Sequence, residues 1–169
     1  QEQVGYHLQR AGDGRGAASR YRRAADEARR RYFNHKAIRL YNRALSCMDE
    51  TDVAVRIHIW HDLSSVYQLK GEVDSALDAV ERMVRLSWVI ANRPKAAVAF
   101  NKMGRLWREK GNLELALEYL ERGVAALRSQ FPVSPSENWA HEGYGGKAGV
   151  SSFHWGTGSG LAGIEIEED

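Results

Sequence analysis

The chain has 169 residues, 43% of them hydrophobic and 27% charged, which suits one globular domain with a core and excludes a disordered polymer. A single cysteine, Cys47, excludes an internal disulfide and a cysteine-based zinc cluster and fits a reducing, cytoplasmic setting, and no apolar stretch approaches the roughly 20 residues that a membrane span needs. The net charge of +2 divides unevenly, with 23 Lys/Arg against 16 Asp/Glu in residues 1–130 and 1 against 6 in residues 131–169.

The chain opens at Gln1, partway into a helical pattern, which predicts a segment of a longer protein. A short partial helix is expected first, broken at Gly12-Asp13-Gly14-Arg15-Gly16. Ala17 to Arg31 and Asn34 to Met48 then read as an antiparallel helix pair, the first complete unit, spanning residues 17–50. The turn between them falls at Tyr32-Phe33-Asn34, with Asn34 a candidate helix cap.

A second unit is expected over residues 51–90. Trp60, Leu63 and Tyr67 form one helical stripe, and Ala76, Val80 and Met83 form the stripe of the helix that follows. Gly71 stands between them, where a left-handed residue is needed to end the first helix. The third unit, residues 94–130, repeats this pattern at a 40-residue offset: Phe100 matches Trp60, Met103 matches Leu63, Trp107 matches Tyr67, and Gly111 and Ala116 match Gly71 and Ala76. An offset of 39 carries Ala76 back to Ala37, followed in the same spacing by Ile38, Tyr41 and Ala44. The surplus over the roughly 34 residues usual for such repeats lies near Leu86 to Pro94, so each second helix is expected to run on before the next unit begins.

After Gln130 the helical period stops. Residues 131–169 hold 8 of the 16 glycines, two of the three prolines, and spaced aromatics including Trp139, Tyr144, Phe153 and Trp155. The acidic end Ile164-Glu165-Ile166-Glu167-Glu168-Asp169 together with these four aromatics suggests an extended segment that docks, through them as anchors, on a basic repeat surface in cis or in trans. A flexible terminus is the competing reading.

The residues Trp60, Leu63, Tyr67, Gly71, Ala76, Phe100, Gly104, Trp107, Gly111 and Ala116 resemble tetratricopeptide signature positions. The 40-residue spacing is similar to that of the long repeats in large bacterial signalling proteins and in regulators of cell polarity. The resemblance covers about residues 5 to 130. It implies an all-α fold, antiparallel helix pairs stacked in a right-handed superhelix, and a protein-binding role with the ligand in a groove lined by the first helix of each unit. Carried over by position, that groove would present Ser19, Arg22, Asp26 and Arg29, then His58, His61, Ser65 and Gln68, then Asn101, Arg105 and Arg108. A mostly basic wall of this kind attracts acidic segments, arginine offering forked donors to carboxylates. Ordinary solvated helix faces are the plain alternative.

Enzymatic motifs do not assemble, and no cofactor is expected. Gly158-Ser159-Gly160-Leu161-Ala162-Gly163 has the glycine spacing of a dinucleotide fingerprint but neither the strand before it nor the helix and acidic residue after it. Gly146-Lys147 lacks the other residues of a phosphate loop, His141 and Ala148 standing in their places. His58, His61 and Asp62 lie within one turn but lack further ligands for a metal. Runs such as Arg20-Tyr21-Arg22-Arg23 spread around a helix, which makes nucleic acid a weaker expectation than a protein or peptide of acidic and aromatic character. Three functional readings therefore stand: a peptide-binding scaffold, a module regulated by its own tail through autoinhibition or oligomer linkage, and a nucleic-acid-binding helical repeat.

Overall fold

The computed structural model describes residues 1–128. Within them the chain forms seven α-helices and no strand: α1 (Glu2–Arg10), α2 (Gly14–Arg30), α3 (Asn34–Ser46), α4 (Val53–Leu69), α5 (Val73–Val89), α6 (Arg93–Glu109) and α7 (Leu113–Arg128). Each packs on its sequence neighbours, with α2 on α3, α4 on α5 and α6 on α7 as the closest pairs, so the architecture is a stack of helix pairs preceded by one extra helix.

One turn geometry recurs and sets the period. Gly12, Tyr32, Gly71, Ala91 and Gly111 all have positive φ, between 50° and 84°. Around each, two backbone bonds close the preceding helix. At Gly71 its N–H donates to the Gln68 carbonyl at 3.0 Å and the Glu72 N–H reaches back to the Tyr67 carbonyl at 3.0 Å; at Ala91 the same pair joins Ala91 to Trp88 and Asn92 to Ser87. This is the left-handed closure that satisfies a helix's last carbonyls. With α4, α5 and α6 each 17 residues long, identical turns return the chain to register every 40 residues, from Val53 to Arg93.

The expectation that each second helix runs on holds for α5, which reaches Val89, and fails for α3, which has 13 residues and stops at Ser46. No residue of positive φ follows its Cys47 cap, and Asp49-Glu50-Thr51-Asp52 makes a turn in which the Asp52 N–H donates to the Asp49 carbonyl. Aspartate and threonine compete with the helix for its own backbone bonds. A helix four residues shorter than α5, followed by a connection of six residues (47–52) in place of three (90–92), leaves the offset one residue short, at 39 where the later units give 40.

Two further local expectations change. The helix expected from Ala17 begins at Gly14, because the Asp13 side chain accepts the Gly16 N–H at 2.8 Å and so caps α2 three residues earlier. Asn34 is the first residue of α3 rather than its cap; Phe33 holds the cap position, and Asn34 Oδ1 is buried with no hydrogen-bond partner among the described residues.

The core runs along the seam between the helix pairs. Tyr21, Leu40, Tyr41, Ile59, Leu63, Val66 and Val80 are fully buried, and the small residues Ala37, Ala76 and Ala116 are buried at matching places in the three second helices. Gly104 shows why small residues are needed there: a Cβ on it would lie 2.9 Å from the Ala116 carbonyl oxygen and 2.7 Å from Leu120 Cγ. Such close packing of helices, excluding water from apolar side chains, is what stabilises a stack whose single units cannot bury their own faces.

Candidate functional site

The first helices α2, α4 and α6 are linked to one another by polar side chains along one face. Arg29 of α2 lies 4.0 Å from Asp62 of α4; Lys95 Nζ of α6 lies 3.4 Å from His58 Nε2 of α4; and Gln68 of α4 donates to Glu109 of α6. Spacing explains the convergence. On each helix the apolar stripe faces its partner helix, and the residues about half a turn away, Arg22 and Arg29, His58 and His61, Lys95 and Lys102, are left to the common outer face.

Lys102 is the most constrained of these groups. Its Nζ donates to Ser64 Oγ at 2.7 Å, to Ser65 Oγ at 2.8 Å and to the His61 carbonyl at 3.2 Å. Burial pushes its pKa down to about 8; the nearby Asp62 carboxylate opposes the shift and the Arg105 and Arg29 charges deepen it. For Asp62, burial raises the pKa, but His61, whose Nδ1 is 3.4 Å away, together with Arg29 and Arg22, outweighs it and holds the carboxyl below its ordinary value. His58 is lowered, first by burial and then by Lys95 and Arg22, which keeps it neutral at pH 7. Beneath them the buried Tyr41 hydroxyl donates to Asp26 Oδ1 at 2.6 Å, and burial followed by that bond raises its pKa.

Cations outnumber carboxylates on this face. Arg22, Arg29, Lys95, Lys102 and Arg105 meet Asp26, Asp62 and Glu109. The Nε atoms of Arg22 and Arg29 are buried and find no hydrogen-bond partner among the described residues. It is the excess of cations, rather than these inaccessible atoms, that suits the face to carboxylate oxygens.

Of the residues expected at the groove, the structure brings Arg22, Arg29, His58, His61 and Ser65 into this cluster, and Arg105 lies within electrostatic range of Lys102. Gln68 is engaged with Glu109, while Asn101, Arg105 and Arg108 are exposed along α6. The anchors Trp139, Tyr144, Phe153 and Trp155 lie outside the described residues. Sequence reasoning missed Lys95 and Lys102. The signal was present: both lie on the same stripe of α6 as Arg105, at spacings of seven and three, and Lys102 stands 40 residues after Asp62, the repeat position that faces a neighbouring first helix. Among the described residues, no group of three or more His, Cys, Asp or Glu side chains gathers to hold a metal ion, and no helix is long and apolar enough to cross a membrane.

No protein-family model matches the chain, and no curated protein matches it. Among solved structures it is similar to the N-terminal domain of stress-induced protein-1 (STI-1) from C. elegans, with 18% identity and a TM-score of 0.59 over 68% of this chain and 87% of that one. It is also similar to MamA, with 18% identity and a TM-score of 0.55 over 75% of each chain. At these identities the likeness speaks to fold: the described residues form a tetratricopeptide-like helical repeat.

Proposed function

We propose that the chain is a protein-interaction module that binds an acidic peptide segment across α2, α4 and α6. The observation that carries this reading is the excess of positive charge along this face, where the cations Arg22, Arg29, Lys95, Lys102 and Arg105 meet three carboxylates, Asp26, Asp62 and Glu109. A peptide carboxylate there would accept from the guanidinium edges and neutralise a local excess of like charge, and charge-assisted bonds of that kind are the stronger class. The stacked helices hold those side chains on rigid elements, so little ordering is needed on binding. A role coupling a larger signalling protein to its partner, in the cytoplasm, follows from the resemblance to long bacterial repeats and belongs to the same proposal.

The test uses a fluorescein-labelled peptide Leu-Ala-Gly-Ile-Glu-Ile-Glu-Glu-Asp, the sequence of residues 161–169, titrated with the full chain. Saturable binding is expected, reduced roughly tenfold or more in an Arg22→Ala, Arg105→Ala variant. Binding unchanged by that double substitution removes this face as the site. Generic duplex DNA competing with the peptide at moderate salt would favour nucleic-acid recognition instead.

A further inference from the structure

The last described helix carries an uncovered apolar stripe. Leu113, Leu117, Leu120, Val124 and Leu127 recur every three or four residues along α7, so they fall on one narrow face about 21 Å long at 1.5 Å per residue. They are 68%, 59%, 40%, 47% and 60% exposed. A groove beside them is lined by Leu120, Glu121, Val124, Ala125 and Arg128.

The chain contains its own control. Forty residues earlier, α5 presents Leu77, Val80, Val84 and Ser87 at the places of Leu117, Leu120, Val124 and Leu127, and there every one is at most 1% exposed. The cover is α6, which packs on α5. The same helix face is therefore buried where a following helix exists and bare on α7 among the described residues, and apolar side chains at this spacing have no role on a solvated surface.

We propose that this face of α7 pairs antiparallel with the α7 of a second copy of the chain. No other helix among the described residues shows a continuous exposed apolar stripe that would serve as the complement; the remaining exposed apolar residues, such as Val4, Tyr32, Leu69 and Val98, are scattered. The charges agree. Glu114, Glu121 and Arg128 follow one flank of the stripe at seven-residue spacing, acidic at the start and basic at the end. A twofold axis at the level of Glu121, midway between Glu114 and Arg128, sets Glu114 of each copy beside Arg128 of the other, giving two opposite-charge pairs, and sets the two Glu121 side chains against each other. A parallel pairing would turn this flank to opposite sides of the two copies, so that none of these charges would find a partner there.

The full chain is examined by sedimentation equilibrium at micromolar concentration, where a dimer is expected. Leu117→Glu with Val124→Glu, at positions already exposed, should leave helical circular dichroism unchanged and yield a monomer. The register has its own signature: Glu121→Gln tightens the dimer severalfold, Arg128→Glu loosens it, and adding Glu114→Arg to Arg128→Glu restores it. With Cys47→Ser, a Leu120→Cys variant should oxidise to a covalent dimer, since that position on the apolar seam lies within one residue of the axis. A full chain that stays monomeric, whether residues 129–169 or nothing covers α7, overturns the proposal. So does a dimer that survives the double glutamate variant, or a charge swap that fails to restore pairing.

Discussion

The ammonium group of Lys102 sits 2.7 Å from the hydroxyl oxygen of Ser64, a charge from α6 lodged against α4 in the seam between two repeats. Ser64 and Ser65 both also donate to the His61 carbonyl, so their hydroxyls keep a partner if the lysine is removed. The lysine itself is held at a cost, because burial brings its pKa from 10.5 down to about 8.

Replacing Lys102 by Met should therefore stabilise the protein at pH 7 by about 1 kcal/mol, a shift of a few degrees in Tm, after allowance for the solvent that still reaches the side chain. The sign follows from linkage. The folded state holds its Lys102 proton less tightly than the unfolded chain, so the penalty is complete below pH 8, is relieved between pH 8 and 10.5, and is gone above. Urea denaturation of both proteins at pH 7 and pH 10.5 should show the advantage of the Met variant shrinking toward zero; an equal advantage at both pH values contradicts it.

The same group gives the binding reaction a proton signature. At pH 8 Lys102 is about half protonated, and a peptide carboxylate brought near it raises its pKa, so binding should take up a fraction of a proton. His58, neutral at pH 7, gains charge only below the ordinary imidazole range, so affinity for the acidic peptide should rise as pH is lowered through its depressed pKa and fall as pH rises past 8. Calorimetry in buffers of different ionisation enthalpy reads the first effect directly. A heat at pH 8 that does not depend on the buffer would mean that no ligand carboxylate approaches Lys102.

Helix pairing was legible because it rests on period: the match of Trp60, Leu63, Tyr67 and Gly71 to Phe100, Met103, Trp107 and Gly111 fixes two helices and a turn without any tertiary information. The turn at Ala91 was not, since alanine carries no sign of positive φ, and the early end of α3 was hidden because its residues match those of the longer helices until Ser46. At the site, Arg22, Arg29, His58 and His61 could be placed from position within a repeat. The bonds of Lys102 could not, because they depend on how far α6 leans on α4. Exposure of the α7 stripe was equally out of reach: α7 and α5 read alike, and only the presence or absence of a following helix separates a buried leucine from a bare one.

The two turns closed without glycine offer a clean test of backbone strain. Tyr32 has φ of 60° and Ala91 has φ of 50°, while Tyr32 is 77% exposed and loses little packing on truncation. Tyr32→Gly and Ala91→Gly should each stabilise by about 0.5–1 kcal/mol, the left-handed penalty removed less the added flexibility of the unfolded chain. Gly71→Ala, at φ of 75°, should cost about 1 kcal/mol by the same reasoning in reverse. Thermal melts of the three variants decide it, and a Tyr32→Gly protein less stable than the parent would show that the tyrosine ring contributes more than its conformation costs.

Two glycines inside the third helix pair predict opposite outcomes for one substitution. In an exposed helix, Gly→Ala gains about 1 kcal/mol of helix propensity. At Gly123 the new methyl would meet its first neighbours, the Ala97 carbonyl oxygen and Phe100 Cβ, at 3.4 Å, which is tight but within reach of a small adjustment. At Gly104 it would meet the Ala116 carbonyl oxygen at 2.9 Å and Leu120 Cγ at 2.7 Å. The leucine is a flexible side chain that can change rotamer, but the carbonyl belongs to the backbone of α7 and moves only if the helices part, at about 1–3 kcal/mol for overpacking of this kind. Gly123→Ala should thus be neutral or slightly stabilising and Gly104→Ala should destabilise by about 1–2 kcal/mol, as measured by denaturant midpoint. Adding Leu120→Ala to Gly104→Ala should recover only part of the loss, since the carbonyl contact remains; full recovery would place the whole clash on the side chain and leave the two backbones free to sit further apart.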